Sequence, residues 1–210
     1  MSSSCPDDTA PQARILAAAT RLFLSHGFAA ATTDMIQREA GVSKATLYAC
    51  HGSKEALFEA VVETACDALM ARFDAIECRP GQLEQTLTRL GRTYLEILLC
   101  PASLTLYRAV VAESVRFPHL ARIFYLAAPK RSVERVAGHL DAAARAGELD
   151  LQAVGVTDAA AVFIGLLRGE GHTECVLHPE ARPSAAQIDD WVRLAVSTFL
   201  RAYAHRPERP

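Results

Sequence analysis

The chain lacks a surplus of either charge: 22 lysines and arginines stand against 24 aspartates and glutamates, a formal net charge of −2. No global positive field draws it to nucleic acid or to an anionic membrane, so any DNA binding has to come from a local surface. It also lacks an apolar run near the roughly 18 residues of a membrane span. Its start, MSSSCPDDTA, has neither the basic opening nor the apolar stretch of a secretory leader. A cytoplasmic protein with no membrane partner is expected. The six cysteines, at 5, 50, 66, 78, 100 and 175, form no C-x-x-C pair and no close cluster with histidine. That spacing fits neither a zinc site nor a dense disulfide framework, and buried free thiols are the expected state. There is no glycine-rich phosphate loop and no ligand-spaced set for a metal, so no cofactor is expected. Cys50 and His51 are neighbours, but consecutive helical residues point about 100° apart and seldom form a nucleophile and base pair. The chain does not read as an enzyme.

Glycine is scarce, at 11 of 210 residues, and β-branched alternation is nearly absent, which removes the strand reading. Half the residues are apolar and 22% are charged, the balance of a globular chain able to bury a sizeable core. Apolar residues recur at three- and four-residue spacing throughout, so an all-α fold is predicted. At about 150 residues per domain, this length makes one large domain or two small ones. Residues 1–10 and the tail 205–210 read as loose ends.

The first helix is predicted over 11–26, with Ile15, Leu16, Ala19, Leu22 and Phe23 on one face and Gly27 as its stop. A second starts at Thr32 or Thr33, either of whose hydroxyls can cap it, and ends at Ala40 before Gly41. Ser43 caps a third over 44–50. Gly52 ends that helix and Ser53 caps a fourth, which repeats Leu57, Phe58, Val61, Val62, Ala65 and Leu69. Beyond Pro80 the predicted helices lengthen: 82–99, 102–116, 119–146 with a kink at Pro129, 156–177 and 184–204. They are separated where proline or glycine cannot continue a helix.

The second helix, the turn at Gly41 and the third helix have the spacing of a helix-turn-helix, whose second helix enters the major groove. The segment AGVSKATLYACHGSKEAL, residues 40–57, closely resembles the TetR family of bacterial transcriptional regulators. The resemblance extends through ILAAATRLFLSHGF, 15–28, and the TTDMIQREAGVS run from Thr32, about a quarter of the chain. Val42 and Leu47 are placed to lock the third helix against the first two, leaving Lys44, Ala45, Thr46 and Tyr48 facing outward. The small Ala45 lets the helix approach the groove. Thr33 can offer a hydroxyl and a helix-start N–H to a phosphate, and Lys54 a point charge. Tyr48 offers a hydroxyl for phosphate and a ring edge for a base or thymine methyl. The resemblance implies that Thr33, Ser43, Lys44, Ala45, Thr46, Tyr48, His51 and Lys54 form the surface toward double-stranded operator DNA. The plainer alternative leaves Thr33 and Ser43 as caps and the two lysines as solvated charges. His51 stands where the family most often has phenylalanine; it either packs between the third and fourth helices or makes a pH-sensitive phosphate contact. Between 11 and 63, five basic residues (Arg14, Arg21, Arg38, Lys44, Lys54) meet five acidic ones (Asp34, Glu39, Glu55, Glu59, Glu63), so non-specific DNA affinity is expected to be weak.

The rest of the chain resembles the C-terminal domains of AefR-like TetR regulators, through LYRAVVAESVRFPHLARIFYLAAP (106–129) and GLLRGEGH (165–172). The resemblance implies a DNA-binding domain over 11–66 and a regulatory domain over 67–205 that binds an effector and makes a homodimer. Residues of suitable chemistry for an effector pocket are Tyr94, Tyr107, Glu113, Phe117, Phe124, Phe163, Arg168 and His172, set among leucine, valine and aromatics, which favours a mostly apolar or aromatic small molecule. The last two long helices carry more apolar surface than one bundle face requires, and Phe163, Leu167, Trp191 and Phe199 are expected at the dimer interface. The expected protein is a repressor that binds a palindromic operator as a dimer and is released by its effector. The alternative is a thiol-based redox sensor of the same fold, with Cys50 as its switch.

Overall fold

The structure, a computed structural model, describes residues 10–77, 79 and 81–205, without the side chains of residues 68 and 69. The arm expected over 1–9, Cys5, Cys78, Pro80, the Leu69 side chain and the tail beyond 205 lie outside the described residues. Among the described residues the elements are α1 (Pro11–Ala30), α2 (Thr33–Ala40), α3 (Lys44–Cys50), α4 (Lys54–Asp74), α5 (Leu83–Leu98), α6 (Pro101–Glu113), α7 (Pro118–Tyr125), a π-helical turn (Leu126–Lys130), α8 (Arg131–Arg145), α9 (Val156–Leu177) and α10 (Ala185–Tyr203). Among the described residues the regular structure is helical apart from one isolated bridge between Leu149 and Ala204. No single described helix is long and apolar enough to cross a membrane.

The chain divides into two compact units. One comprises residues up to 65 together with 105–124; the other comprises 66–104 and the chain from 125. The segment 105–124, which the sequence alone assigns to the regulatory domain, therefore packs with the N-terminal helices. Aromatic rings show why. Phe23 of α1, Phe28 just past the break at Gly27, and Phe58 of α4 lie with ring centroids 5.4–5.6 Å apart, and Phe117 adds an edge-on contact to Phe28 at 5.1 Å. Such pairs contribute about 0.5–1.5 kcal/mol each beyond the area they bury.

In the second unit, α8 packs on α9, and α10 packs on both α5 and α9. The core includes Phe73, Leu87, Leu90, Leu95, Leu140, Phe163 and Phe199. Asp67 and Asp74 on α4 pair with Arg131 and Arg135 on α8 at 2.7 and 3.0 Å. These are exposed pairs, worth under about 1 kcal/mol each, so the apolar core and not charge holds the unit.

Three local features differ from the sequence reading. The single kinked helix expected over 119–146 is two helices joined by the π-turn that contains Pro129. Proline has no N–H to give, and widening the turn accommodates its ring. The α9 backbone leaves helical geometry at Gly169 (φ +38°, ψ −158°), a break that periodicity does not reveal. His205, read as frayed, is tied down: its N–H donates to the Glu148 carbonyl at 3.0 Å, beside the Leu149–Ala204 bridge.

Gly171 marks a close approach of α9 and α10. A Cβ there would lie 2.4–2.8 Å from three ring carbons of Trp191. An indole cannot move aside as a lysine tip can. Gly171→Ala is therefore expected to destabilise the protein by about 1–3 kcal/mol, the usual cost of overpacking. Urea unfolding followed by the fluorescence of Trp191, the single tryptophan, measures it; an unchanged midpoint and emission maximum would refute the packing.

Candidate nucleic-acid interface

The geometry of α2 and α3 follows from three caps and a turn. Thr32 takes the N-cap of α2, its Oγ1 accepting from the Met35 N–H at 3.2 Å, which leaves Thr33 as the first helical residue. Gly41 ends α2 in the left-handed conformation, φ 64° and ψ 38°, while the Val42 N–H donates to the Gln37 carbonyl at 3.1 Å. A residue with a Cβ would be strained by about 1 kcal/mol in that conformation. Ser43 Oγ then accepts from the Thr46 N–H at 3.0 Å to start α3, and Ser53 Oγ accepts from the Ala56 N–H at 3.0 Å to start α4. Leu47 is fully buried, as are Ile15 of α1 and Ile36 of α2, and α1, α2 and α3 pack mutually.

With Leu47 inward, α3 presents Lys44, Ala45 and Tyr48 to solvent, with Thr46 half-buried at their side. Tyr48 is 41% exposed, and its hydroxyl lies 3.4 Å from Thr33 Oγ1, so the start of α2 and the middle of α3 bring two hydroxyls to one place. One of the residues named from the sequence also serves the fold. Ser43 spends its hydroxyl on the cap and on Thr46 Oγ1 at 2.8 Å.

The lysines are not the free point charges that the sequence suggests. Lys44 Nζ donates to Asp34 Oδ1 at 3.1 Å, and this carboxylate raises its pKa. Lys54 is half-buried; its Nζ donates to the Ala29 carbonyl at 3.3 Å and sits 4.3 Å above the centre of the Phe28 ring. Burial lowers its pKa. A phosphate would have to draw Lys54 from a carbonyl and an aromatic face. Asp34 was not singled out from the sequence, because its pairing with Lys44 ten positions away depends on the angle between two helices.

His51 is buried at the end of α3, and its Nε2 has no hydrogen-bond partner among the described residues. Burial lowers its pKa. Of the two readings open in the sequence, the geometry fits packing: a ring enclosed and neutral offers no charge to a phosphate.

The residues named for an effector pocket fall in both units. Tyr107, Glu113, Phe117 and Phe124 belong to the first, Tyr94, Phe163, Arg168 and His172 to the second. Glu113 and Phe117 line a narrow apolar cleft with Phe23, Phe28, Phe58 and Leu120, with space of about 10 Å³, room for roughly one water. In the second unit Tyr94 and Phe163 are core, stacked edge-on against Phe73 at 6.4 Å and Phe199 at 5.2 Å. His172 is buried, and burial together with the positive charge of Arg168 pushes its pKa down to about 4.

The expected dimer residues need correction on the same ground. Phe163, Leu167 and Phe199 are at most 2% exposed within a single chain and have no surface to give a partner. Trp191 is half-buried against Gly171. The large apolar residues that α9 and α10 do expose are Val162, Leu166, Leu177 at the end of α9, and Leu194, the last 65% exposed.

A capped helix-turn-helix in one unit and an all-helical second unit define a DNA-binding regulator. Residues 15–61 match the family of bacterial regulatory proteins named tetR, and residues 85–205 match the AefR-like transcriptional repressor C-terminal domain. The chain belongs to the TetR family of transcriptional regulators, which are DNA-binding proteins and not enzymes. Solved structures agree. The Flavonoid-responsive Regulator FrrA is 34% identical over 94% of this chain and 98% of its own, with a TM-score of 0.82. A TetR-family regulator from Mesorhizobium loti MAFF303099 is 26% identical over 92% and 96%, also at 0.82. One from Pseudomonas syringae pv. tomato str. DC3000 is 25% identical over 96% and 100%, at 0.75. No curated protein matches the chain.

The buried imidazole sets a pH test. Because the folded ring titrates below its ordinary value of about 6.5, folding favours the neutral form; its stabilising contribution is whole above about pH 6.5 and is lost as the pH falls below it. His51→Phe is expected to fold and to lose less stability than the wild type between pH 6.5 and 5 in denaturant titrations. It should leave the pH dependence of DNA binding from 6.5 to 8 unaltered. Wild-type affinity that falls over that range, and flattens in the variant, would restore the phosphate contact.

Proposed function

We propose that the protein is a cytoplasmic, homodimeric repressor that binds a palindromic operator and is released by a small, mostly apolar or aromatic effector. The observation that carries the DNA reading is the outward face of α3, with Lys44, Ala45, Thr46 and Tyr48 held in register by the turn at Gly41 and the buried Leu47. Thr33 at the start of α2 adds a hydroxyl beside that of Tyr48. In this reading Lys44 gives charge to a phosphate and Tyr48 gives the more directional contact.

The dimer is proposed through α9 and α10, with Val162, Leu166 and Leu194 in place of the buried residues named from the sequence. Two copies about a two-fold axis set two recognition helices roughly 34–36 Å apart, one turn of DNA. For the effector, the similar FrrA is by name flavonoid-responsive, and a flavonoid is a polycyclic aromatic compound. Composition supports the same class here. Tyr107, Glu113, Phe117 and Phe124, all of the first unit, keep accessible surface and remain the residues proposed to meet it. Release requires that the effector bind the DNA-free protein more tightly. A ligand that weakens operator binding tenfold must itself bind about tenfold more weakly to the complex, a coupling of about 1.4 kcal/mol. Nothing favours the thiol alternative: Cys50 is exposed, but the buried His51 beside it supplies no cation to hold a thiolate.

The test is fluorescence anisotropy with an operator duplex selected from a random-sequence pool by the full-length protein. Lys44→Ala is expected to weaken binding and to make the slope of log K against log salt shallower by about 0.9, one phosphate's worth. Tyr48→Ala should weaken binding with little change in slope. Leu194→Glu should sediment as a folded monomer and lose operator affinity. Wild-type affinity and slope in both α3 variants would refute the DNA face, and a dimeric Leu194→Glu would refute the interface.

A further inference from the structure

The pairing of Lys44 with Asp34 has a bearing on specificity that the family assignment does not give. On the face that the proposed reading turns toward DNA, Lys44 is the only lysine of α3, and both members of the pair are exposed: the side chains keep 57% and 51% of their accessible surface. An ion pair so open to water holds its partners weakly, because solvent screens it. It does not anchor the fold. What it does change is the charge offered to a polyanion, since a carboxylate 3.1 Å from the ammonium cancels it at the distance of a phosphate. Arg38 donates from Nε to the backbone carbonyl of Asp34 at 3.2 Å, Arg21 is taken by Glu39 at 2.6 Å, and Lys54 is turned to Ala29.

We propose that Asp34 is a specificity-determining residue, which withholds the Lys44 charge from DNA of arbitrary sequence and releases it only when α3 is fully seated in its operator. This role rests on Lys44 facing DNA, as proposed above. Non-specific complexes are held almost wholly by phosphate neutralisation and released counterions. In such a loose complex the Asp34 carboxylate beside Lys44 offsets its charge, and the pair adds little. In the operator complex α3 lies close to the groove, and the ammonium exchanges a carboxylate for a phosphate at a distance that suits a direct contact. The carboxylate thus suppresses background binding more than it suppresses the cognate complex. Selection among a genome's competing sites depends on that ratio and not on the operator affinity alone.

The experiment compares wild type, Asp34→Asn, Lys44→Ala and the double variant on two probes: a mixed-sequence 30-base-pair duplex, and the operator duplex selected by the wild type. Asparagine keeps the size of the side chain and an exposed position in the first turn of α2, so the fold is retained, which circular dichroism checks. Asp34→Asn is expected to bind the mixed duplex more tightly, with a salt slope steeper by about 0.9, so that its advantage shrinks roughly three- to fourfold between 50 and 200 mM salt. The gain on the operator should be smaller, and the double variant should show no gain on either probe. The proposal is overturned if Asp34→Asn leaves mixed-duplex binding unchanged, weakens it, gains equally on both probes, or keeps its gain without Lys44. If Lys44→Ala alone leaves operator affinity and slope at wild-type values, Lys44 does not face DNA, and that reading fails together with this one. Failure of Asp34→Asn with a weakened Lys44→Ala overturns this inference alone.

Discussion

A helix of seven residues has no stability of its own in water, because the cost of nucleation exceeds what so few hydrogen bonds return. α3 therefore exists only through what is attached to it. Leu47 is buried where α1, α2 and α3 pack, Ser43 accepts from the free N–H of Thr46, and Gly41 turns the chain so that the two helices meet at a fixed angle. The outward face, Lys44 to Tyr48, is the residue of that arrangement: once Leu47 is inside, the register of every other side chain on α3 is decided. A polar substitution at Leu47 would leave those side chains in the sequence and remove the surface.

The first unit draws on a second constraint. Phe23, Phe28 and Phe58 make one aromatic cluster, and Phe117, arriving from the turn between α6 and α7, closes on Phe28. Lys54 lies over the same Phe28 ring. A side chain that the family resemblance marks for DNA is thus part of the packing that holds α1 to α4. His51 is a similar case, in which a polar residue near the expected DNA surface serves the interior. Charge counting foresaw a neutral module, and the geometry adds the mechanism: Arg21 and Lys44 are held by Glu39 and Asp34.

Much of the fold was legible in the sequence because its signals are local. The stop at Gly27, the caps at Ser43 and Ser53, and the breaks at Pro101, Pro118 and Gly147 each depend on neighbours a few positions away. The outward set on α3 followed from helical periodicity and from resemblance to the TetR family. What escaped was non-local. That Phe163 and Phe199 face each other inside one chain, and not a partner, depends on how α9 and α10 cross. An apolar stripe has the same pattern whether it is covered by its own chain or by another. The packing of 105–124 with the N-terminal helices, the widened turn at Pro129 and the pairing of Asp34 with Lys44 are invisible for the same reason.

The central claim is that α3, with the start of α2, is the surface that meets DNA. Amide hydrogen exchange of the full-length protein, with and without a saturating operator duplex, tests it most directly, since bound DNA shields the backbone it covers. The account predicts that protection rises at the start of α2 and along 43–49, with the core helices of the second unit unchanged. Protection confined to other surfaces, with α3 exchanging as in the free protein, would contradict it.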